Sequence, residues 1–181
     1  NGEKVCLIEG DMRLPTFRKK MNIESHAGLS EFLTGQQSID DVVEMVKYQK
    51  CDFACIQAGT LPPNPSELLS SPRIDKVFET LGKTFTYIIV DLPPVTMVSD
   101  AVAVSGRIDG VIMVVSQPIC TKRLLKEAMR QLKIAHIKVI GFVRTLTTDH
   151  GFGYSRYGRK CHGYQYAKYE YSIPPANKNI E

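Results

Sequence analysis

No apolar run in this sequence is long enough to cross a bilayer. The longest, such as Val111-Ile112-Met113-Val114-Val115, fall far short of the roughly 20 residues that a spanning helix needs. No signal-peptide pattern stands at the start, and the chain opens on Asn1 rather than methionine, as expected of a segment of a longer protein. Disulfide-like spacing is also missing. Cys6, Cys51, Cys55, Cys120 and Cys161 make an odd count, which points to reduced thiols in a cytosolic protein. Cys51 and Cys55 fall on one face of a strand with Phe53 between them. No His or Cys pair follows at metal-site spacing, so small core residues are expected there rather than zinc ligands. Excess charge is nearly absent from the first 150 residues: of the net +4, the stretch from Gly151 onward carries +3, with five bases against two acids. The globular part is close to neutral and the tail holds the charge.

What is present suits one domain with a real core, given 181 residues and an apolar fraction of 43%. The run Tyr87-Ile88-Ile89-Val90-Asp91-Leu92-Pro93-Pro94 organises the chain. Continuous β-branched residues predict a strand buried on both faces, as in a parallel sheet. The two prolines forbid further ladder pairing and an immediate helix. An acid at the carboxyl end of such a strand lies where open α/β sheets bind ligands. Asp91 alone would also suit a residue that caps the next turn. A second acidic strand end shifts that balance: Val5-Cys6-Leu7-Ile8 runs into Glu9-Gly10-Asp11-Met12-Arg13, with Gly10 allowing a tight turn and Arg13 able to reach phosphate or carboxylate.

Between and after these ends, helices and strands alternate. Short helices are expected at Gly28–Gly35 and from Ser38, which is placed as an N-cap. A strand at Phe53–Ile56 leads into the stiff loop Gly59-Thr60-Leu61-Pro62-Pro63-Asn64-Pro65. Helices follow at Ser66–Leu69 and from Ser71-Pro72, the latter carrying Ile74, Val77, Phe78 and Leu81 at helical spacing. Beyond the organising strand come a helix near Ser99–Ser105 and a fully buried strand over Gly110–Ser116. Thr121 is expected to cap a helix with Leu124, Leu125, Ala128 and Leu132 inward, and a last strand runs over Ile137–Val143. This alternation predicts an α/β domain of three layers over residues 1–148, a mostly parallel sheet with helices on both faces.

Residues 149–181 differ in kind. Tyr154, Tyr157, Tyr164, Tyr166, Tyr169 and Tyr171 lie among Gly, Ser, Arg and Lys without apolar periodicity, and a flexible tail is expected. By composition such a segment fits stacking on single-stranded nucleic acid or phosphorylation of its phenols equally well.

Together these features resemble the bacterial tyrosine kinases that control capsule and exopolysaccharide production, over roughly Lys4 to Tyr171. Leu7–Pro15 looks like the family's second, primed Walker A segment. Ala58–Arg73, with Pro62-Pro63-Asn64-Pro65-Ser66-Glu67-Leu68-Leu69, is close to its signature loop. Ile88–Pro94 with Ser99-Asp100 is similar to its Walker B strand, and the tail resembles its tyrosine cluster. The resemblance implies a P-loop NTPase-like fold and ATP and magnesium as cofactors. It also implies transfer of the γ-phosphate to tail tyrosines of a neighbouring copy. Asp91 and Asp11 would hold magnesium, with Glu9 and Asp11 serving the metal side and the base for the phenol. Arg13 and Thr145 would face the nucleotide, and the six tail tyrosines would be the acceptors. The implied partners are a membrane polysaccharide co-polymerase as activator, a ring-like homo-oligomer and a tyrosine phosphatase, with no nucleic acid. The implied location is the cytoplasmic face of the cell membrane.

Three departures stand beside this. The Gly-x-x-x-x-Gly-Lys-Ser/Thr loop is absent, because the chain starts after the place where it belongs, so the 181 residues alone are expected to be inactive. Glu9 stands where the family usually has aspartate, and Thr145 where asparagine is common. Two other functions use similar strand ends: a nucleotide-free regulatory module of the same polysaccharide machinery, and a partition or division-site ATPase. The latter has no reason to carry six clustered tyrosines.

Overall fold

The computed structural model describes residues 2–48, 51–97, 99–117 and 119–145. The six tail tyrosines and the expected tail over 149–181 lie outside the described residues. In chain order the elements are β1 (Val5–Glu9), α1 (Phe17–Met21), α2 (Leu29–Thr34), α3 (Ile39–Val42), β2 (Glu44–Tyr48), β3 (Cys51–Ile56), α4 (Pro65–Ser70), α5 (Arg73–Leu81), β4 (Tyr87–Asp91), α6 (Asp100–Ala103), β5 (Val111–Ser116), α7 (Lys122–Ile134) and β6 (Val139–Thr145). The strands form a sheet of order β2-β3-β1-β4 and a separate pair β5-β6. All pairings are parallel except β2 with β3. The expected α/β class is the one that forms. The short antiparallel edge strand β2 and the helix α1 were not legible beforehand.

Strand periodicity explains the layers. Cys6 and Ile8 of β1 sit level with Ala54 and Ile56 of β3 and with Ile88 and Val90 of β4, so all six share one face. That face packs with Leu29, Leu33, Leu69, Ile74, Val77 and Leu81 from α2, α4 and α5. Leu7, level with Cys55 and Ile89, points the other way, toward Phe17, Ile23, Val46 and Phe53. Helices therefore cover both faces, which makes three layers. Caps follow the sequence: Thr121 Oγ1 accepts from Leu124 N at 3.2 Å, Ser38 and Asp41 close a capping box, and Gly35 ends α2 at φ +85°.

Two expectations fail in the same way. β4 was expected to be buried on both faces, yet Tyr87 and Ile89 are 56% and 53% exposed. β5 was expected to be fully buried, yet Ile112 and Val114 are 58% and 67% exposed. The reason is an uncovered face: Tyr87, Ile89, Ile112 and Val114 belong to neither apolar cluster, and among the described residues β4 pairs only with β1 and β5 only with β6, which leaves an edge open as well. Leu124, expected inward on α7, is likewise exposed, while Ala128 and Leu132 are buried. Of Cys51, Phe53 and Cys55, only Cys55 is fully in the core.

Candidate active site at the acidic strand ends

Register brings the two acidic strand ends level: Glu9 of β1 lies opposite Asp91 of β4. Gly10 N donates to Asp91 O at 2.8 Å. A Cβ on Gly10 would stand 2.8 Å from Leu92 Cδ2 and 3.0 Å from Asp91 O, so only glycine lets the two ends close up. Asp11 follows at once. Its Oδ1 accepts from Arg13 N and Leu14 N at 3.0 Å each, an Asx-type turn that fixes the carboxylate beyond the strand end. Burial raises the Asp91 carboxyl above its ordinary pKa, and the neighbouring Asp11 and Glu9 charges add to that, with Lys20 opposing. The two aspartates thus feel each other as like charges at the sheet's ligand edge.

Glu9 has a different place. It is 1% exposed, and its carboxylate accepts from the backbone N–H groups of Thr16, of Phe17 at 2.8 Å and of Ala58 at 3.1 Å. A buried carboxylate satisfied by three amides holds structure together. Here it ties the start of α1 to the end of β3. The extra methylene relative to aspartate gives the side chain the reach to do so.

Arg13 also has defined partners. Its Nε donates to Asp100 Oδ2 and its Nη2 to Asp100 Oδ1, both at 3.2 Å, and Nη2 donates to Ser66 Oγ at 3.0 Å. Asp100 is fully buried, and Ser66 Oγ donates to it as well. The turn after β1 and the first turn of α4 thus converge on the carboxylate that opens α6. Nothing in the sequence gives Ser66 or Asp100 a part in this contact.

A second clamp holds the proline loop. Glu31 accepts from Gly28 N at 2.8 Å, Ser30 Oγ at 3.0 Å and Thr60 N at 3.1 Å. Burial would raise its carboxyl, but hydrogen bonds from Thr60, Gly28 and Ser30 hold it below the usual range. Gly59 sits at φ +82°, and a Cβ there would stand 2.0 Å from Glu31 Oε2. Thr145 ends β6 on the second ladder, opposite Ser116, where its carbonyl accepts from Gln117 N at 3.1 Å.

The donor set suits a hard divalent cation. Asp91 and Asp11 offer oxygens, and a dication beside them would oppose the like-charge contribution that adds to burial in raising Asp91. Among the described residues no group of three or more His, Cys, Asp or Glu is arranged to hold a metal. Two carboxylates with water and phosphate completing the shell is the usual arrangement for Mg²⁺.

No protein-family model matches the chain. It is similar to EpsB of Ralstonia nicotianae, 33% identical over 179 residues that cover 97% of this chain and 23% of EpsB. It is similar to the tyrosine-protein kinase YwqD of Bacillus subtilis, 30% identical over 162 residues that cover 88% of this chain and 67% of YwqD. Among solved structures it matches the kinase domain of the Escherichia coli tyrosine kinase ETK with TM-score 0.73 and 29% identity, covering 84% of this chain and 61% of that one. The chain thus spans about a quarter of the length of EpsB and about two thirds of YwqD.

Proposed function

This chain belongs to the bacterial tyrosine-protein kinases, and from that premise we propose that the whole protein transfers the γ-phosphate of ATP to tyrosine. The observation that carries this is the Asp91–Asp11 pair, two like charges held together at the carboxyl ends of adjacent parallel strands. Bound Mg²⁺, held by Asp91 and Asp11, would supply charge neutralisation at the phosphates. The chain's own residues then do the rest. The phenol oxygen attacks the γ-phosphorus, the bond to the β–γ bridging oxygen breaks, and ADP leaves. The phenol proton passes to the Asp11 carboxylate, since the Glu9 carboxylate is already engaged by three amides. Arg13 works by fixing the turn that carries Asp11.

The phosphates also need a cradle of backbone N–H groups and a lysine, and no Gly-x-x-x-x-Gly-Lys-Ser/Thr stretch occurs in these residues. The open edges of β4 and β5, with their exposed apolar residues, have the form of a slot for a parallel strand. A strand–loop–helix segment outside these 181 residues, entering there, would set its loop beside Asp91. The acceptors are the six tail tyrosines of a neighbouring copy in a ring-like homo-oligomer, which a tyrosine phosphatase resets. A membrane-embedded polysaccharide co-polymerase activates the kinase, which works at the cytoplasmic face of the membrane and so regulates capsule or exopolysaccharide export. Among the described residues no helix is long and apolar enough to cross a membrane, so docking falls to that partner or to a segment elsewhere in the protein.

The test mixes two full-length variants with ATP and magnesium: one with all six tail tyrosines changed to phenylalanine, the other carrying Asp91→Asn and an intact tail. Phosphotyrosine on the Asp91→Asn copy, read by mass spectrometry, is the expected result. It should vanish when Asp91→Asn or Asp11→Asn is present in both copies. Undiminished phosphorylation in that case contradicts the proposal.

A further inference from the structure

An open surface cavity of about 460 Å³ lies between α1 and the end of β3, lined by Pro15, Arg18, Lys19, Ile23, Gln57 and Gly59, with Arg18 and Lys19 exposed at its rim. Its size is that of a small-molecule or side-chain pocket. Both walls are tied to Glu9, which holds Phe17 N of α1 and Ala58 N beside Gly59. The cavity is therefore anchored to the same strand end that leads into Asp11. Its walls are firmly held. Gln57 Nε2 donates to Ser25 O at 2.6 Å and Ala27 O at 3.0 Å, and Arg18 Nη2 lies 2.7 Å from His26 Nε2.

The chemistry of the lining is selective. Pro15 and Ile23 offer apolar surface, Arg18 and Lys19 offer two cations, and no acid lines the cavity. That combination fits a ligand that is both flat and anionic. An unmodified phenol has the ring without the charge. A phosphorylated one has the ring and about −1.5 to −2 charges at neutral pH. We propose that this cavity binds a phosphotyrosine side chain, the product of the neighbouring acids, and so holds a partly phosphorylated peptide for its next transfer.

The inference rests on the kinase reading and deepens it. The sequence supplies tyrosines two residues apart, at Tyr164 and Tyr166 and again at Tyr169 and Tyr171. In an extended peptide such residues project to one side and stand roughly 7 Å apart. One phosphorylated member can occupy the cavity while its neighbour is presented to Asp11. Filling of the cluster then becomes ordered: the first phosphate speeds the second.

The test is direct binding without ATP, so it is independent of catalysis. Dephosphorylated full-length protein is titrated into fluorescent peptides spanning residues 162–174. One peptide is unmodified, one is phosphorylated at Tyr171, and one carries phosphoserine in place of Tyr171. The phosphotyrosine peptide should bind at least about tenfold more tightly than either of the others, the size of one charge-assisted hydrogen bond. Arg18→Ala and Lys19→Ala should each erase most of that advantage, and Arg18→Lys should restore part of it, with circular dichroism confirming the fold. Equal binding of all three peptides overturns the proposal. So does an advantage that survives both alanine variants, or a phosphoserine peptide that binds as well as the phosphotyrosine one. If the phosphotyrosine preference holds while the full-length protein transfers no phosphate, the cavity stands and the kinase reading falls.

Discussion

The two ladders of this molecule carry similar sequences and meet different fates. β1 and β3 place Cys6, Ile8, Ala54 and Ile56 in a core from which water is excluded. β5 and β6 are equally apolar, yet Ile112, Val114, Ile140, Phe142 and Val143 are exposed. β4 lies between these cases: Ile88 and Val90 pack inward, while Tyr87 and Ile89 on its other face are open. The amino-acid pattern of a buried parallel strand is thus a statement about neighbours, and a strand without them is exposed whatever its composition. The contrast also locates the acids. Asp91 closes β4 at the open edge, whereas Glu9 closes β1 in the interior and is consumed by three amides. Acids at two matching strand ends thus meet different surroundings, one at an open edge and one in the interior.

The comparison can be broken most severely at Glu9. Glu9→Ala leaves three buried N–H groups without an acceptor and should cost on the order of 3–5 kcal/mol, seen as a large drop in the urea midpoint. If stability is nearly unchanged, Glu9 is not the architectural acid. Next, Ile56→Ala should cost about 2–5 kcal/mol, the penalty of a core cavity, while Ile112→Ala in the same 181-residue chain should cost less than about 0.5 kcal/mol. Comparable losses at both sites would show the second ladder to be as well packed as the first.

The smallest effect is on pH. The Asp91 carboxyl titrates higher folded than unfolded, so the folded state holds its proton more tightly. Stability from this group is present in acid and is lost as the pH rises through the folded value. Asp91→Asn should therefore raise the Tm at neutral pH by roughly 1–2 °C, kept small by solvent screening, with the gap closing toward about pH 4. A Tm that falls at neutral pH would mark Asp91 as a structural residue.

The α/β class, most helices, the Ser38 and Thr121 caps and the presence of two acidic strand ends were legible because they rest on local periodicity, glycine and proline. What was not legible depends on long-range partners. The three amide partners of Glu9 could not be read because they lie in and before α1 and after β3, and nothing near Glu9 in sequence announces them. The partners of Arg13 could not be read because Asp100 and Ser66 are far along the chain and the fold alone brings them together. β2 was missed because Glu44–Tyr48 alternates weakly and gains its identity from pairing with β3. Exposure of β4 and β5 was missed because a face left uncovered by other elements makes no mark on the apolar pattern itself.

In the proposed kinase, β4 and β5 flank a slot which a further strand–loop–helix segment fills, placing a phosphate cradle beside Asp91. Native-state hydrogen exchange tests it most directly, comparing the 181-residue chain with the full-length protein. In the short chain the outward amides of Tyr87–Asp91 and Val111–Ser116 should exchange quickly, while those of Cys51–Ile56 stay protected. In the full-length protein the outward amides of β4 and β5 should slow by about 100-fold or more, as ladder bonds close on them. Equally fast exchange at these amides in both proteins would contradict the slot and the phosphate site built on it.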